Sequence, residues 1–381
     1  MTSRRRSSQH PSGRRERESG RIPAPAEAET DTVAAIDLGT SNCRLLIVRP
    51  TADGFHVVDS FSRIVCLGEG LAEDGVLRPA AMDRALAALR VCATKLRRHR
   101  PQRFRAVATD ACRRAGNGQA FRDRVRRETG LDLEVIDPEA EARLALVGCA
   151  PLLQPDIPSA LIFDIGGGST ELIHLREAPD RRGRLGLAAW HSLPFGVVGL
   201  SERYHDRPDG PEIFDAMVAE VRAALASFAA DNAAGLAEAG ALQMLGTSGT
   251  VTTLAGLYQR LPRYDRRRID GCYLGFETVW TLTRQIAGMS REARLRHPCI
   301  GPHRADLVLA GCAILEAICR TWPAGRLRVA DRGLREGMLL EMLGRARPED
   351  FAPLDRPAQP APQATGSQPT DSSKNYLKIH T

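Results

Sequence analysis

The chain has 381 residues, of which 43% are hydrophobic and 26% charged, and its formal net charge is +7. This length suffices for two domains with buried cores. No apolar run approaches the roughly 20 residues of a membrane span, so we expect no membrane partner. The basic balance favours polyanionic partners, whereas an aromatic content of 5% without an RNP-like or helix-turn-helix signature excludes specific nucleic-acid binding.

The ends of the chain have the composition of disordered segments. Residues 1–31 are rich in Arg, Ser and Pro, and residues 347–381 are rich in Pro, Gln and Ser. Between them we expect a first domain at residues 32–137, on which a last helix at residues 331–346 packs back. A second domain is expected at residues 138–330.

The cysteines and the N-terminus indicate where the protein works. The nine cysteines include no C-x-x-C pair and no metal-ligand cluster, and no apolar region follows the Arg-rich N-terminus. These features predict buried, reduced thiols and a cytoplasmic protein.

Strand and helix patterns alternate through the first half. Apolar stretches predict strands at residues 33–36, 55–61, 63–67, 105–109 and 133–136. Apolar residues at three- and four-residue steps predict a long amphipathic helix over residues 82–96. A helix at residues 121–127 should stop at Gly130, and Asp137 followed by Pro138 should cap and begin the next helix.

The second half repeats this plan. Strands are predicted at residues 160–163, 187–193, 242–245 and 327–330, and helices at residues 213–228, 306–318 and 331–343. Because strands and helices alternate within each half, the sequence predicts an α/β chain built twice.

Two stretches in equivalent positions of the halves are near copies of each other. They are DLGTSNCRLLIV at residues 37–48 and DIGGGSTELIHL at residues 164–175, each with the pattern strand, tight turn, strand. Two such turns predict opposed binding surfaces for a phosphate chain, because turn N–H groups can face an anion. The candidate phosphate-binding residues are Gly39, Thr40, Ser41, Asn42, Gly166, Gly167, Gly168, Ser169 and Thr170.

An acid stands at the bend of each hairpin. We expect Asp37 and Asp164 to hold a divalent cation directly or through water, and Mg²⁺ suits carboxylates that share it with phosphate oxygens. Strand alternation places Glu171 on the same face as Ser169 and makes it a further metal candidate. The alternative for Glu171 is an exposed strand acid.

A third glycine-bearing turn lies in LGTSGTVTTLAG, residues 245–256. Gly246, Thr247 and Ser248 are phosphate-binding candidates, because a helix that begins after them would present free N–H groups and its positive end. Thr247 or Ser248 is equally explained as a plain helix cap. The basic pair at residues 303–304 is a weaker candidate for lining the substrate path.

Spacing leaves two pairs of residues open. Glu139 and Glu141 both lie in the first turn of the helix after Asp137, where the helix dipole favours any acid, and either is a candidate catalytic acid. Arg113 and Arg114 are adjacent, and either is a candidate phosphate ligand.

Eight strings occur in a fixed order through residues 33–344. They are DLGTSNCRLL, LGEGL, ATDACRRAGN, EARLALVG, FDIGGGSTEL, PFGVVGLSER, GTSGT and DRGLREGML. In this order they resemble the exopolyphosphatase / guanosine pentaphosphate phosphohydrolase (Ppx/GppA) family in a short two-domain form. The resemblance implies two actin-like domains of the ribonuclease H-like superfold, shared with sugar kinases and Hsp70, with a cleft between them.

The resemblance also implies individual roles. It makes Glu141 the catalytic acid that positions and deprotonates the attacking water, and Arg113 a phosphate ligand. It gives metal and phosphate roles to Asp164, Gly166, Ser169 and Glu171.

The implied reaction is Mg²⁺-dependent release of terminal orthophosphate from inorganic polyphosphate. The near alternative is hydrolysis of guanosine pentaphosphate to the tetraphosphate, and a homodimer is a further expectation. More distant alternatives are an ATP-dependent sugar-kinase-like enzyme and a non-catalytic nucleotide-binding module.

Three departures from the family pattern modify these expectations. The order Ser41-Asn42 is reversed, and we expect altered detail rather than lost binding because Asn42 can still donate a hydrogen bond. Gly199 stands where a basic residue is common and removes one anion contact. The resemblance ends near Gly344, whereas longer members continue into helical domains, so we expect less processive action on long chains.

Overall fold

The structure is a computed structural model that describes residues 31–52, 54–178, 181–207, 210–232, 236, 241–302, 304–346 and 351. The predicted tails at residues 1–31 and 347–381 lie almost entirely outside the described residues, and so does His303 of the basic pair.

Strands and helices alternate as the sequence predicts. The strands are β1 Val33–Leu38, β2 Asn42–Thr51, β3 Gly54–Ile64, β4 Arg103–Ala108, β5 Glu134–Val135, β6 Ser159–Ile165, β7 Thr170–Ala178, β8 Arg181–Leu193, β9 Leu242–Thr247, β10 Tyr273–Gly275 and β11 Arg326–Ala330. The helices are α1 Leu71–Asp74, α2 Pro79–His99, α3 Asp110–Arg114, α4 Gly118–Thr129, α5 Pro138–Cys149, α6 Val197–Arg203, α7 Pro211–Asp231, α8 Gly249–Tyr258, α9 Arg266–Ile269, α10 Phe276–Ala287, α11 Arg291–Arg296, α12 Val308–Thr321 and α13 Leu334–Met342.

The strands form two mixed sheets with the same internal order. The first sheet has the order β3-β2-β1-β4-β5, and the second has the order β8-β7-β6-β9-β11-β10. Strand β1 pairs antiparallel with β2 and parallel with β4, and β6 pairs with β7 and β9 in the same two ways. We call the first sheet with its helices the first lobe and the second sheet with its helices the second lobe. The predicted α/β chain built twice is confirmed.

One predicted pair of strands is wrong. Residues 55–61 and 63–67 were expected as two strands, but β3 runs unbroken from Gly54 to Ile64. The chain then leaves the sheet because the N–H groups of Val65 and Cys66 both donate to the carbonyl oxygen of Ser41. The φ angle of Cys66 is 45° at this turn.

Helix α5 begins as the sequence predicts. The side chain of Asp137 accepts a hydrogen bond from the N–H of Ala140 at 2.7 Å, and Pro138 occupies the first helical position. This cap places both Glu139 and Glu141 in the first turn.

Helix α5 lies between the two sheets, and α13 packs against α5 and the first sheet. Leu144 of α5 belongs to an apolar cluster with the first sheet, and Leu146 belongs to one with the second sheet. A Cβ on Gly148 would lie 2.0 Å from the carbonyl oxygen of Gly333, so the helices cross in close contact. Because α5 packs on both sheets, the predicted domain boundaries stay predictions.

No described helix is both long and apolar enough to cross a membrane. The cysteines of the described residues are free, and Cys43, Cys92, Cys112, Cys149, Cys312 and Cys319 are buried.

Candidate active site

A small cavity of about 110 Å³ lies where the two hairpin turns meet. The turn residues, four acids, two arginines and Ser248 contribute to its lining: Asp37, Gly39, Thr40, Ser41, Asn42, Arg44, Asp110, Glu141, Asp164, Gly166, Gly167, Gly168, Ser169, Ser248 and Arg304. Most of the predicted site residues are therefore brought together from both lobes.

The two turns touch each other. Each is closed by one backbone hydrogen bond, from Gly39 to Asn42 at 2.8 Å and from Gly166 to Ser169 at 2.9 Å. A Cβ on Gly167 would lie 2.6 Å from the backbone nitrogen of Ser41. There is no space between the turns at this point, so a phosphoryl group would lie in the cavity beside them.

Glu141 lies at the wall of the small cavity. Its side chain is 14% exposed, and its carboxylate lies 3.3 Å from Nη1 of Arg113. Burial raises the pKa of Glu141 well above its usual value, and the nearby carboxylates of Glu171, Asp37 and Asp164 raise it further. Arg113 opposes this rise in the Glu141 pKa.

The three predicted metal-binding acids lie near one another, with Glu171 buried and Asp37 and Asp164 half-buried. Burial raises the pKa of Asp164 to about 7, and the charge of Glu171 adds to the effect. Burial also raises the pKa values of Asp37 and Glu171. At Glu171 this rise is opposed by hydrogen bonds that the carboxylate accepts from the hydroxyls of Ser169 and Ser192, at 2.7 and 2.9 Å. A cation among these groups would relieve both desolvation and mutual repulsion.

The donor atoms of these acids fit a magnesium ion that is shared with substrate. Mg²⁺ prefers oxygen ligands, keeps several waters and uses one or two carboxylates together with substrate phosphates. Within the described part of the chain, no three His, Cys, Asp or Glu side chains converge closely enough to hold a metal ion by themselves.

In the first turn, the hydroxyl of Thr40 is buried and has no hydrogen-bond partner among the described residues. Its neighbours Ser41 and Asn42 bond to each other, with Nδ2 of Asn42 donating to Oγ of Ser41 at 2.7 Å. The reversed order of this pair thus leaves both side chains at the cavity. A buried hydroxyl without a partner is suited to a ligand oxygen.

The third turn serves partly as structure. Oγ of Ser248 caps α8 by accepting from the N–H groups of Thr250 and Val251, both at 3.1 Å. The hydroxyl of Thr247 donates to the carbonyl oxygen of Arg332 at 2.8 Å. A Cβ added to Gly246 would lie 2.5 Å from Cζ of the Phe163 ring, so this glycine packs directly against Phe163. Gly246 lines neither the small cavity nor the larger cavity that adjoins it.

Two further predicted phosphate ligands are engaged elsewhere. The hydroxyl of Thr170 donates to the carbonyl oxygen of Phe195 at 2.6 Å. Nη1 of Arg113 donates to the carbonyl oxygen of Ile136 at 2.7 Å, and Arg113 does not line the small cavity. A Cβ added at Gly199, where a basic residue is common, would meet no atom of the described residues within 4 Å.

The sequence reasoning missed Arg44 and Asp110. Arg44 stands directly opposite Asp37 in the β1–β2 register, and its charge lowers the pKa values of Asp37 and Asp164. The hairpin register could have revealed it, because opposed residues of antiparallel strands share a face. Asp110 lies 3.5 Å from Arg113 and 3.3 Å from Arg114. No local pattern singles out Asp110.

A second, larger cavity of about 1050 Å³ adjoins the first. The two share Asp37, Arg44, Asp164, Ser248, Arg304 and Leu334. Arginines, aromatic side chains and acids contribute to the rest of its lining: Phe55, Phe61, Arg263, Tyr264, Asp265, Arg266, Arg267, Asp331, Arg332, Arg335 and Glu336. Arg304 donates to the hydroxyl of Thr253 at 2.8 Å, and burial, with Arg44 nearby, lowers its pKa.

A model of the Ppx/GppA phosphatase family matches residues 46–346. The chain belongs to this family. It is 31% identical over 330 residues to exopolyphosphatase 2 of Mycobacterium tuberculosis, an alignment that covers 82% of this chain and 98% of the relative. The predicted enzyme class, a phosphoanhydride hydrolase, is confirmed.

Solved structures of Ppx/GppA relatives match over nearly their whole length. An exopolyphosphatase from Cytophaga hutchinsonii superposes with a TM-score of 0.74 at 26% identity, covering 83% of this chain and 99% of that chain. The Aquifex aeolicus member of the Ppx/GppA family superposes with a TM-score of 0.67 at 28% identity, covering 82% and 98%. The predicted fold of two actin-like domains is confirmed.

Proposed function

We propose that this phosphohydrolase releases terminal orthophosphate from inorganic polyphosphate. The pair of adjoining cavities carries the proposal. The small cavity, about 110 Å³, has the space of a few water molecules and suits one phosphoryl group. The large cavity suits the remaining anionic chain, because more arginines than acids contribute to its lining. The name of the mycobacterial relative, exopolyphosphatase 2, also supports this substrate.

Glu141 would take the proton of the attacking water onto its carboxylate. A general base works best when its pKa is near the working pH, and burial moves the pKa of Glu141 in that direction. Arg113 fixes the orientation of the carboxylate through its contact at 3.3 Å.

The turns would hold the phosphoryl group while the bridging P–O bond breaks. Backbone N–H groups of both turns and the unpartnered hydroxyl of Thr40 are the donors for its oxygens. The leaving phosphate oxygen would face the shared wall of the two cavities. Arg44 and Arg304 line that wall, and their charges would stabilise the negative charge that develops there.

A magnesium ion would be held by Asp164 and Glu171, with Asp37 acting directly or through water. When bound, it supplies neutralisation of the phosphate oxygens. The mutual repulsion of these desolvated carboxylates supports this part of the proposal. The homodimer and the cytoplasmic location stay predictions.

Guanosine pentaphosphate is the second candidate substrate. The aromatic side chains of the large cavity favour it, because Phe55, Phe61 and Tyr264 offer surfaces on which a base could stack. Glu141 and the two turns would perform the same chemistry on its terminal phosphate.

The test is phosphate release with Mg²⁺, comparing kcat/KM for polyphosphate and guanosine pentaphosphate under the same conditions. A higher kcat/KM on polyphosphate supports the proposal. A higher kcat/KM on guanosine pentaphosphate favours the second candidate substrate instead. Tyr264→Ala should then raise the KM for the pentaphosphate, whereas Tyr258→Ala, an exposed tyrosine that does not line the large cavity, should not. Release from neither substrate would overturn both candidates.

A further inference from the structure

A hydrogen bond joins the two lobes outside the small cavity. The backbone N–H of Gly70, in the LGEGL string of the first lobe, donates to Oε1 of Glu202 at 2.8 Å. Glu202 belongs to the PFGVVGLSER string of the second lobe, and neither residue lines the small cavity. We propose that Glu202 is a positioning residue, which holds the two phosphate turns in contact through this bond.

The Gly70 end of the bond is tied to the first turn. The N–H of Gly68 donates to the carbonyl oxygen of Thr40 at 3.0 Å. A Cβ on Gly68 would lie 2.2 Å from Cγ2 of Thr40, so the two segments are in direct contact. Gly70 has a φ of 71°, in the left-handed region that favours glycine. Gly70 is therefore two residues away from a direct contact with Thr40.

The Glu202 end is tied to the second turn. Glu202 lies near the C-terminal end of α6, whose first residues bond directly to the turn. The N–H of Val197 donates to the carbonyl oxygen of Gly166 at 3.0 Å, and the N–H of Val198 donates to that of Gly167 at 2.9 Å. Helix α6 thus connects the carboxylate of Glu202 to the glycines of the second turn.

The bond between Gly70 and Glu202 closes a continuous connection around the turn contact. The turns themselves leave no room between Gly167 and Ser41. Separation of the lobes at this point must break the Gly70–Glu202 bond, which is charge-assisted and therefore stronger than a neutral one. Glu202 thus favours the arrangement in which both turns border one cavity. Without Glu202, a smaller fraction of molecules would be competent to bind, and the apparent affinity for substrate would fall.

The test compares Glu202→Ala and Glu202→Gln with Glu220→Ala. Glu220 is the matched control, because it contacts Arg203 and accepts from the hydroxyl of Tyr204 at 2.8 Å without reaching the first lobe through either contact. One readout is hydrogen exchange of the peptide that contains the Gly70 amide. The other is the split between KM and kcat on the preferred phosphate substrate.

In Glu202→Ala, the Gly70 peptide should exchange faster and KM should rise by about tenfold with kcat little changed. Glu202→Gln should be much closer to the wild type in the exchange rate of the Gly70 peptide and in KM, because its amide oxygen still accepts a hydrogen bond. Glu220→Ala should resemble the wild type in both measurements. Unchanged exchange and KM in Glu202→Ala, or equal changes in Glu220→Ala, would overturn the proposal. If Glu202→Ala does not fold, Glu202→Asp, with its shorter reach, takes its place with the same expected direction.

The kinetic readout rests on the proposed function, whereas the exchange readout does not. Faster exchange at Gly70 in a protein that releases phosphate from neither substrate would keep the role of Glu202 and reject the proposed substrates. Wild-type exchange at Gly70 in a Glu202→Ala protein that has the proposed activity would reject the role of Glu202 and keep the proposed substrate.

Discussion

The carboxylate of Glu141 and the carbonyl oxygen of Ile136 both contact Nη1 of Arg113, at 3.3 and 2.7 Å. Asp110 lies 3.5 Å from the other terminal nitrogen of the same guanidinium. Arg113 is therefore held by acceptors of the protein, and its guanidinium lies where it can orient the carboxylate of Glu141. The implied role as a phosphate ligand stays a prediction, while these contacts favour a positioning role.

Arg113→Ala should lower kcat by about 10- to 100-fold, the range expected for the loss of hydrogen bonds to a charged group. Burial already raises the pKa of Glu141, and Arg113 opposes that rise. Removal of Arg113 should therefore raise this pKa further, so that Glu141 stays protonated to a higher pH. The acid limb of the rate–pH profile should shift to higher pH.

Arg114→Ala is the control for this experiment. The Arg114 side chain is 48% exposed and pairs with Asp110 at 3.3 Å, without a contact to Glu141 among the described residues. We expect its profile to match the wild type. Equal shifts in both variants would contradict the assignment of Arg113.

Asp164→Asn should weaken the Mg²⁺ dependence of phosphate release. The loss of a carboxylate ligand should raise the Mg²⁺ concentration for half-maximal rate by at least about tenfold. A magnesium titration measures this, with Asp156→Asn as control because Asp156 is an exposed residue just before β6. Superimposable titrations for Asp164→Asn and the wild type would remove Asp164 from the metal site.

The crossing of α5 and α13 should tolerate no added side chain. A Cβ on Gly337 would lie 2.0 Å from the carbonyl oxygen of Leu144, a backbone atom that cannot move aside. Gly337→Ala should lower the free energy of unfolding by about 1–3 kcal/mol, as overpacking does. Gly199 lies in α6, and a Cβ added there would meet no described atom within 4 Å. Gly199→Ala should therefore leave the free energy of unfolding unchanged or raise it by up to about 1 kcal/mol. Denaturant unfolding compares the two, and equal stabilities would contradict the close crossing.

Local features were predictable from the sequence because they depend on neighbouring residues. The cap at Asp137 and the stop of α4 at Gly130 follow from local backbone chemistry. The two hairpins were recognised because their copies support each other. The resemblance supplied the choice between Glu139 and Glu141, which spacing alone left open.

Contacts between distant segments could not be predicted in the same way. The engagement of Thr170 with Phe195, and of Arg113 with Ile136, depends on how elements meet in space. Gly246 resembles a phosphate-turn glycine in sequence, yet in the structure it packs against the ring of Phe163. The bond between Gly70 and Glu202 spans 132 residues and carries no local signal.

The measurement that most directly tests the account is phosphate release by Glu141→Gln beside Glu139→Gln. The two acids share the first turn of α5, but the side chain of Glu139 is 58% exposed and lies 3.9 Å from Arg143. Loss of a general base predicts a fall in kcat of about 10²- to 10⁴-fold for Glu141→Gln at an unchanged melting temperature, with Glu139→Gln close to the wild type. Near-normal turnover by Glu141→Gln, or an equal loss in Glu139→Gln, would contradict the account.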